Sequence, residues 1–158
     1  MRLRAAYSFF RRRTSAELAP LGMSADQFVL LTVLAQDGPA TQQELVRRCP
    51  SDTTTLGAMV ALLETKKLVK RQAHAADGRA WVVSLTRAGR ARQKQLWDGT
   101  EDLRAELTGL FRPDEAHLLL QLLDRIIGAL EPPTSRSRKT AALAKGFRKL
   151  IRPKTRER

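Results

Sequence analysis

Between Met23 and Leu63 the chain is punctuated so densely that every helix there must be short. Ser24-Ala25-Asp26-Gln27 has the pattern of a reciprocal cap, a hydroxyl followed three positions later by an amide that can reach back. Met23 and Phe28 stand where a hydrophobic staple would close that helix start. Phe28, Leu31, Leu34 and Ala35 then come at helical spacing, and Gly38-Pro39 ends the run. Thr41-Gln42-Gln43-Glu44 writes the cap a second time and opens a short helix with Leu45, Val46 and Cys49 on one side. Pro50 stops it. Asp52 caps a third segment whose apolar residues Leu56, Met59, Val60 and Leu63 share one face. Two such helices joined at Pro50-Ser51 form a helix-turn-helix.

Beyond Leu63 the apolar period changes. Leu68–Ala73 and Ala80–Leu85 read as strands joined by a loop containing Asp77-Gly78-Arg79, with Trp81, Val83 and Leu85 alternating to one side. Thr86 caps a long helix with Leu96, Leu103, Leu107 and Leu110 on a heptad-like stripe. Pro113 suits a first helical position, and Leu119, Leu122, Leu123, Ile126, Ile127 and Leu130 give the last helix an apolar face. A helix-turn-helix followed by a hairpin is a winged helix. The expected fold is therefore mainly α, with a two-stranded β wing.

The formal net charge of +13 favours a polyanionic partner. It is unevenly spread. Residues 131–158 hold ten Lys/Arg against two Glu, and Pro132-Pro133-Thr134-Ser135 marks where a basic tail begins. In that tail Leu143, Phe147, Leu150 and Ile151 have amphipathic spacing, with Arg138, Lys139, Lys145, Arg148 and Lys149 around them. Three readings stay open: a solvated tail, one that docks and adds phosphate contacts, or one that meets a membrane surface or acidic partner. One cysteine, Cys49, excludes an intrachain disulfide, and with His74 and His117 it lacks zinc-ligand spacing, so neither metal nor cofactor is expected. The apolar run Ala5–Phe10 is too short for a signal peptide and meets Arg11-Arg12-Arg13. No stretch nears the ~20 apolar residues of a membrane span. A soluble cytoplasmic protein is expected, with no membrane among its main partners. No nucleophile–base pair, Gly-rich phosphate loop or metal motif suggests an enzyme.

The run from Leu62 to Arg71 (LLETKKLVKR), then Asp77-Gly78-Arg79-Ala80, then Ser84-Leu85-Thr86-Arg87-Ala88-Gly89, resembles the MarR family of multiple antibiotic resistance regulators. The likeness runs from about Arg4 to Leu130. It implies a homodimer paired through terminal helices, residues 1–22 and 90–131, around a DNA-binding winged helix at 23–89. Two such winged helices would read a palindrome in double-stranded DNA, most often as a repressor. It also implies a small aromatic or lipophilic effector, held in a crevice between dimerisation and DNA-binding parts, that releases the operator.

Carried onto this sequence, the DNA contacts fall on Gln42 and Gln43 at the start of the supporting helix, and on Thr53, Thr54, Thr55 and Gly57 on the recognition helix. In the wing they fall on Arg71, on Arg79, which can enter a minor groove, and on Asp77, which orients Arg79. Tyr7, Phe10 and Phe28, with Phe9, are the aromatics available to a crevice, although core packing is the safer reading of them. Cys49 reads as a core residue and His117 as a dimer-interface residue. Two positions depart from the family pattern. Lys67 stands where a glycine usually ends the recognition helix. The groove-facing side, Thr53, Thr54, Gly57, Ala58 and Ala61, has no Arg, Lys, Asn or Gln for a bidentate base contact. Salt-sensitive binding with modest sequence discrimination is the expectation. The alternative is a winged helix that packs DNA without sequence choice or binds a protein partner.

Overall fold

The computed structural model describes residues 1–49, 51–74 and 77–130. The basic tail, with Arg138, Lys139, Lys145, Arg148 and Lys149, lies outside them. The chain divides into two compact units, residues 1–101 and 102–158.

The first unit begins with α1 (Arg2–Leu18) and a 3-10 turn at Ala19–Leu21. Then come α2 (Ala25–Asp37), β1 (Ala40–Thr41), α3 (Gln42–Arg48) and α4 (Thr53–Thr65). The wing is β2 (Val69–His74) and β3 (Asp77–Leu85), and α5 (Arg87–Asp98) closes the unit. Both reciprocal caps form: Ser24 with Gln27, and Thr41 with Glu44. Asp52 accepts from the Thr55 amide at 2.8 Å and caps α4. The core is aliphatic, as an aromatic content of 5% requires. Leu18, Leu30, Leu31, Leu45, Leu56, Val60, Leu63, Val83 and Leu96 are fully buried in one cluster, which also holds Met23, Phe28 and Cys49.

The expected two-stranded wing forms, and a third strand extends it into an antiparallel sheet of order β1-β3-β2. The extra strand pairs Ala40 with Val83 and Thr41 with Val82. Asp77-Gly78-Arg79 are the first residues of β3 rather than part of the turn, and the register shifts between Ala73 and His74. Trp81, Val83 and Leu85 alternate along β3 as expected, but only Val83 and Leu85 are buried, while Trp81, nearer the tip, is exposed.

The long helix expected after Thr86 is two helices, because α6 (Glu101–Gly109) is separate from α5. Gly99 closes α5, and the buried Thr100 hydroxyl donates to the Leu96 and Trp97 carbonyls at 3.1 Å, so the orphaned carbonyls of that helix end find a partner.

The second unit holds most of α6 and then α7 (Pro113–Leu130). The Arg112 amide donates to Glu115 at 2.9 Å, which fixes the start of α7. Along α7 the side chains of Leu118, Leu119, Leu122, Ile126, Ile127 and Leu130 are exposed. Six large apolar groups on one exposed helix are far more than scattered surface hydrophobics require.

Candidate nucleic-acid interface

The helix-turn-helix is α3 and α4. Arg48, near the end of α3, sits 3.6 Å from the Asp37 carboxylate at the end of α2. Gln42 Nε2 lies 3.5 Å from the Thr53 carbonyl at the first turn of α4. Gly57 leaves room for that approach: a Cβ there would stand 3.0 Å from the Gln42 amide nitrogen, close enough that the amide would have to shift. Gln42 and Gly57 are thus a packing pair between the two helices. Gln42 and Gln43 also border a shallow hollow with Val46, Arg47 and Thr53. At the start of α3, Glu44 already places its carboxylate 2.8 Å from the Thr41 amide, so that helix end carries its own negative charge.

On α4 the three threonines differ. Thr53, Thr54 and Thr55 are all exposed. The Thr55 hydroxyl, however, donates to Asp52 at 2.7 Å, so its proton is committed to the cap. These bonds to Thr55 hold the Asp52 carboxyl below its usual range.

The end of α4 explains the Lys67 departure. The Leu68 amide donates to the Leu63 carbonyl at 2.9 Å and the Lys67 amide to Glu64 at 2.8 Å, the paired bonds of a Schellman motif. Lys67 holds the left-handed position, φ 57°, without being glycine. The next strand, β2, is clamped to α4: Arg71 donates to Glu64 through Nε at 2.8 Å and through its amide at 3.2 Å. Arg71, expected at the DNA, has its charge paired with Glu64 in the fold. Spacing alone cannot show this, because the two residues lie on different elements.

Behind the wing, Thr86 ties the end of β3 to the segment that follows α4. Its hydroxyl donates to the Lys67 carbonyl at 2.7 Å and accepts from the Gly89 amide at 2.9 Å. Gly89 is obligatory, because a Cβ there would lie 1.9 Å from the Leu68 carbonyl oxygen. Thr86 and Gly89 therefore fix the junction between wing and α4, a role that the sequence motif marks without explaining.

The aromatics do not gather. Phe28 is buried and faces Trp97 with ring centroids 6.3 Å apart, while Tyr7 and Phe10 are exposed on α1. Tyr7 instead lines an open cleft of roughly 500 Å³ with Arg11, Asp26, Ser51, Asp52 and Thr55. Arg11 grips Asp26 through two nitrogens, at 2.6 and 3.1 Å. Burial pushes the Cys49 thiol up to about 11, consistent with a packing role. Among the described residues no group of three His, Cys, Asp or Glu could hold a metal, and no single helix is long and apolar enough to cross a membrane.

A family model described as MarR family matches residues 21–80, the stretch from the turn before α2 to the first part of β3. An HTH-type transcriptional repressor of Mycobacterium tuberculosis is 33% identical over 85 residues. That match covers 54% of this chain and 61% of the relative's length. A mutant MarR of E. coli complexed with operator DNA superposes with a TM-score of 0.69 at 29% identity, over 78% of this chain and 89% of that one. Over these stretches the chain is similar to the MarR family. A second MarR-like structure, Bordetella bronchiseptica BpsR, whose DNA binding is regulated by 6-hydroxynicotinic acid, has a TM-score of 0.69 at 26% identity. It covers 78% of this chain and 89% of that one. MarR likeness in this chain thus extends over the winged helix and beyond it, with α4 in the position of the recognition helix.

Proposed function

We infer that this MarR-like protein is a homodimeric repressor that binds double-stranded DNA through α4 and the β2–β3 wing. One observation carries the reading. α4 is held from three sides, by Gln42 packed over Gly57, by the Glu64–Arg71 clamp and by Thr86 on the Lys67 carbonyl, while its opposite face is left exposed. A helix fixed so firmly and presented to solvent suits insertion in a major groove, as helix-turn-helix recognition helices are used. The likeness to operator-bound MarR supports the same use. Thr53 and Thr54 are assigned to the groove, Arg79 and Asp77 to the wing, and Gln43 with Arg47 to the flanking phosphates.

The dimer is assigned to the apolar face of α7 and to α1, where Leu3, Tyr7, Phe9 and Phe10 are exposed. An effector is assigned to the cleft beside Tyr7. A small aromatic acid there would exchange Asp26 for its own carboxylate on Arg11, beside the residue that caps α4. BpsR, regulated by an aromatic acid, supports that class.

Fluorescence anisotropy of the full chain with a random-sequence duplex, over a salt series, tests the reading. Binding that weakens steeply with salt, with an even number of chains per duplex by light scattering, is expected. A monomer, or no binding at physiological salt, contradicts it.

A further inference from the structure

Apart from Thr53 and Thr54, the polar side chains on and flanking α4 are engaged within the protein. Asp52 holds the Thr55 amide and hydroxyl. Glu64 holds Arg71. The Thr65 hydroxyl donates back to the Ala61 carbonyl at 3.0 Å, and Lys66 Nζ lies 3.2 Å from the Gly22 carbonyl. The outward face is Thr54, Ala58, Ala61 and Leu62, with Leu62 45% exposed. Leu56, Val60 and Leu63 are buried on the opposite side of the same helix, which fixes the direction this set points.

A base-edge code has two kinds of signal. Donors and acceptors are read by long polar side chains, and the C5-methyl of thymine is read by apolar contact from Ala, a Thr methyl or a larger apolar group. The exposed side of α4 supplies mainly the second kind, with the short Thr53 and Thr54 hydroxyls as its polar groups and no long polar side chain. Methyl groups lining a groove would cover Leu62 and gain from its apolar surface.

Resting on the proposed DNA-binding function, we propose that α4 selects its half-site by contact with thymine methyl groups, made by Thr54, Ala58, Ala61 and Leu62. Its target class is duplex DNA with thymines at fixed positions in each half-site. Purine hydrogen bonding contributes little to the choice, so discrimination is modest and concentrated on those thymines.

The test replaces thymine by deoxyuracil, which removes the methyl and keeps the hydrogen-bonding groups. The probe is the most enriched duplex selected from a random pool, with each half-site thymine replaced in turn, titrated against the full-length protein at fixed salt. At one or more positions affinity should fall roughly fourfold per methyl, as expected for about one buried methyl group. In Leu62→Ala, a change at an exposed position, the penalty at one of those positions should shrink. Equal affinity for thymine and uracil duplexes at every position overturns the inference and leaves DNA binding intact. A uracil penalty unchanged in both Leu62→Ala and Ala58→Gly also overturns it, because DNA shape rather than α4 would then be its source. No binding to the selected duplex beyond random DNA overturns the inference together with the operator reading beneath it.

Discussion

Single residues fix how α4 meets the wing, and two of them give opposite expectations. Gly89→Ala forces a methyl against the Leu68 carbonyl, a backbone atom that cannot step aside. A loss of roughly 3 kcal/mol, read by urea or thermal unfolding, is expected. Lys67→Gly relieves a left-handed residue and should stabilise by about 0.5–1 kcal/mol, after the added freedom of the unfolded chain is counted. Asp52 contributes through its charge. Its folded pKa lies below its unfolded value, so the stability it adds is present above the ordinary carboxylate pKa and is lost as pH falls through the depressed one. Asp52→Asn keeps a capping side chain, so thermal melts should show a shallower loss of stability below about pH 4 than in the parent protein.

At the scale of elements, the sequence is most legible where local rules act alone. Both reciprocal caps, the Asp52 cap, the two helices of the helix-turn-helix and the strand pair stand where capping and periodicity put them. The misses share a cause. β1 is two residues long and overlaps a helix cap, so it has no period to detect. The break between α5 and α6 hides under a leucine stripe that continues at helical spacing through Gly99-Thr100, and only the Thr100 hydroxyl turned back on α5 reveals it. The site is legible as residue types but not as partnerships. Arg71 reads as a DNA contact in the sequence, whereas in the fold Glu64 meets it across the helix–strand gap. That pairing predicts that Arg71→Met lowers the melting temperature slightly while leaving the slope of log K against log salt unchanged. A phosphate contact would instead reduce that slope by about 0.9. Phe28 is ambiguous between crevice and core for a similar reason, since its neighbour Trp97 is distant in sequence.

At the scale of the whole molecule, charge and apolar surface divide the labour. In the proposed dimer, the exposed leucines and isoleucines of α7 meet those of a second copy of this chain. Ile126→Glu should therefore shift the protein toward monomer by light scattering and weaken DNA binding with it, because two linked recognition helices bind far more tightly than one. Residues 132–158, ten Lys/Arg against one Glu, carry the charge for the phosphate-contact reading of the tail. Removing them should flatten the salt slope by about 0.9 for each phosphate they neutralise and leave the ranking of sequences as it was.

The central claim is that two copies of α4 read DNA together. Selection of bound duplexes from a random pool by the full-length protein at physiological salt tests it most directly. The account predicts an enriched two-fold palindrome whose half-sites lie about one helical turn apart, rich in thymine and only moderately preferred over random DNA. Tight, salt-dependent binding with no enriched motif would contradict it and would mark the chain as a DNA-packing protein without sequence choice.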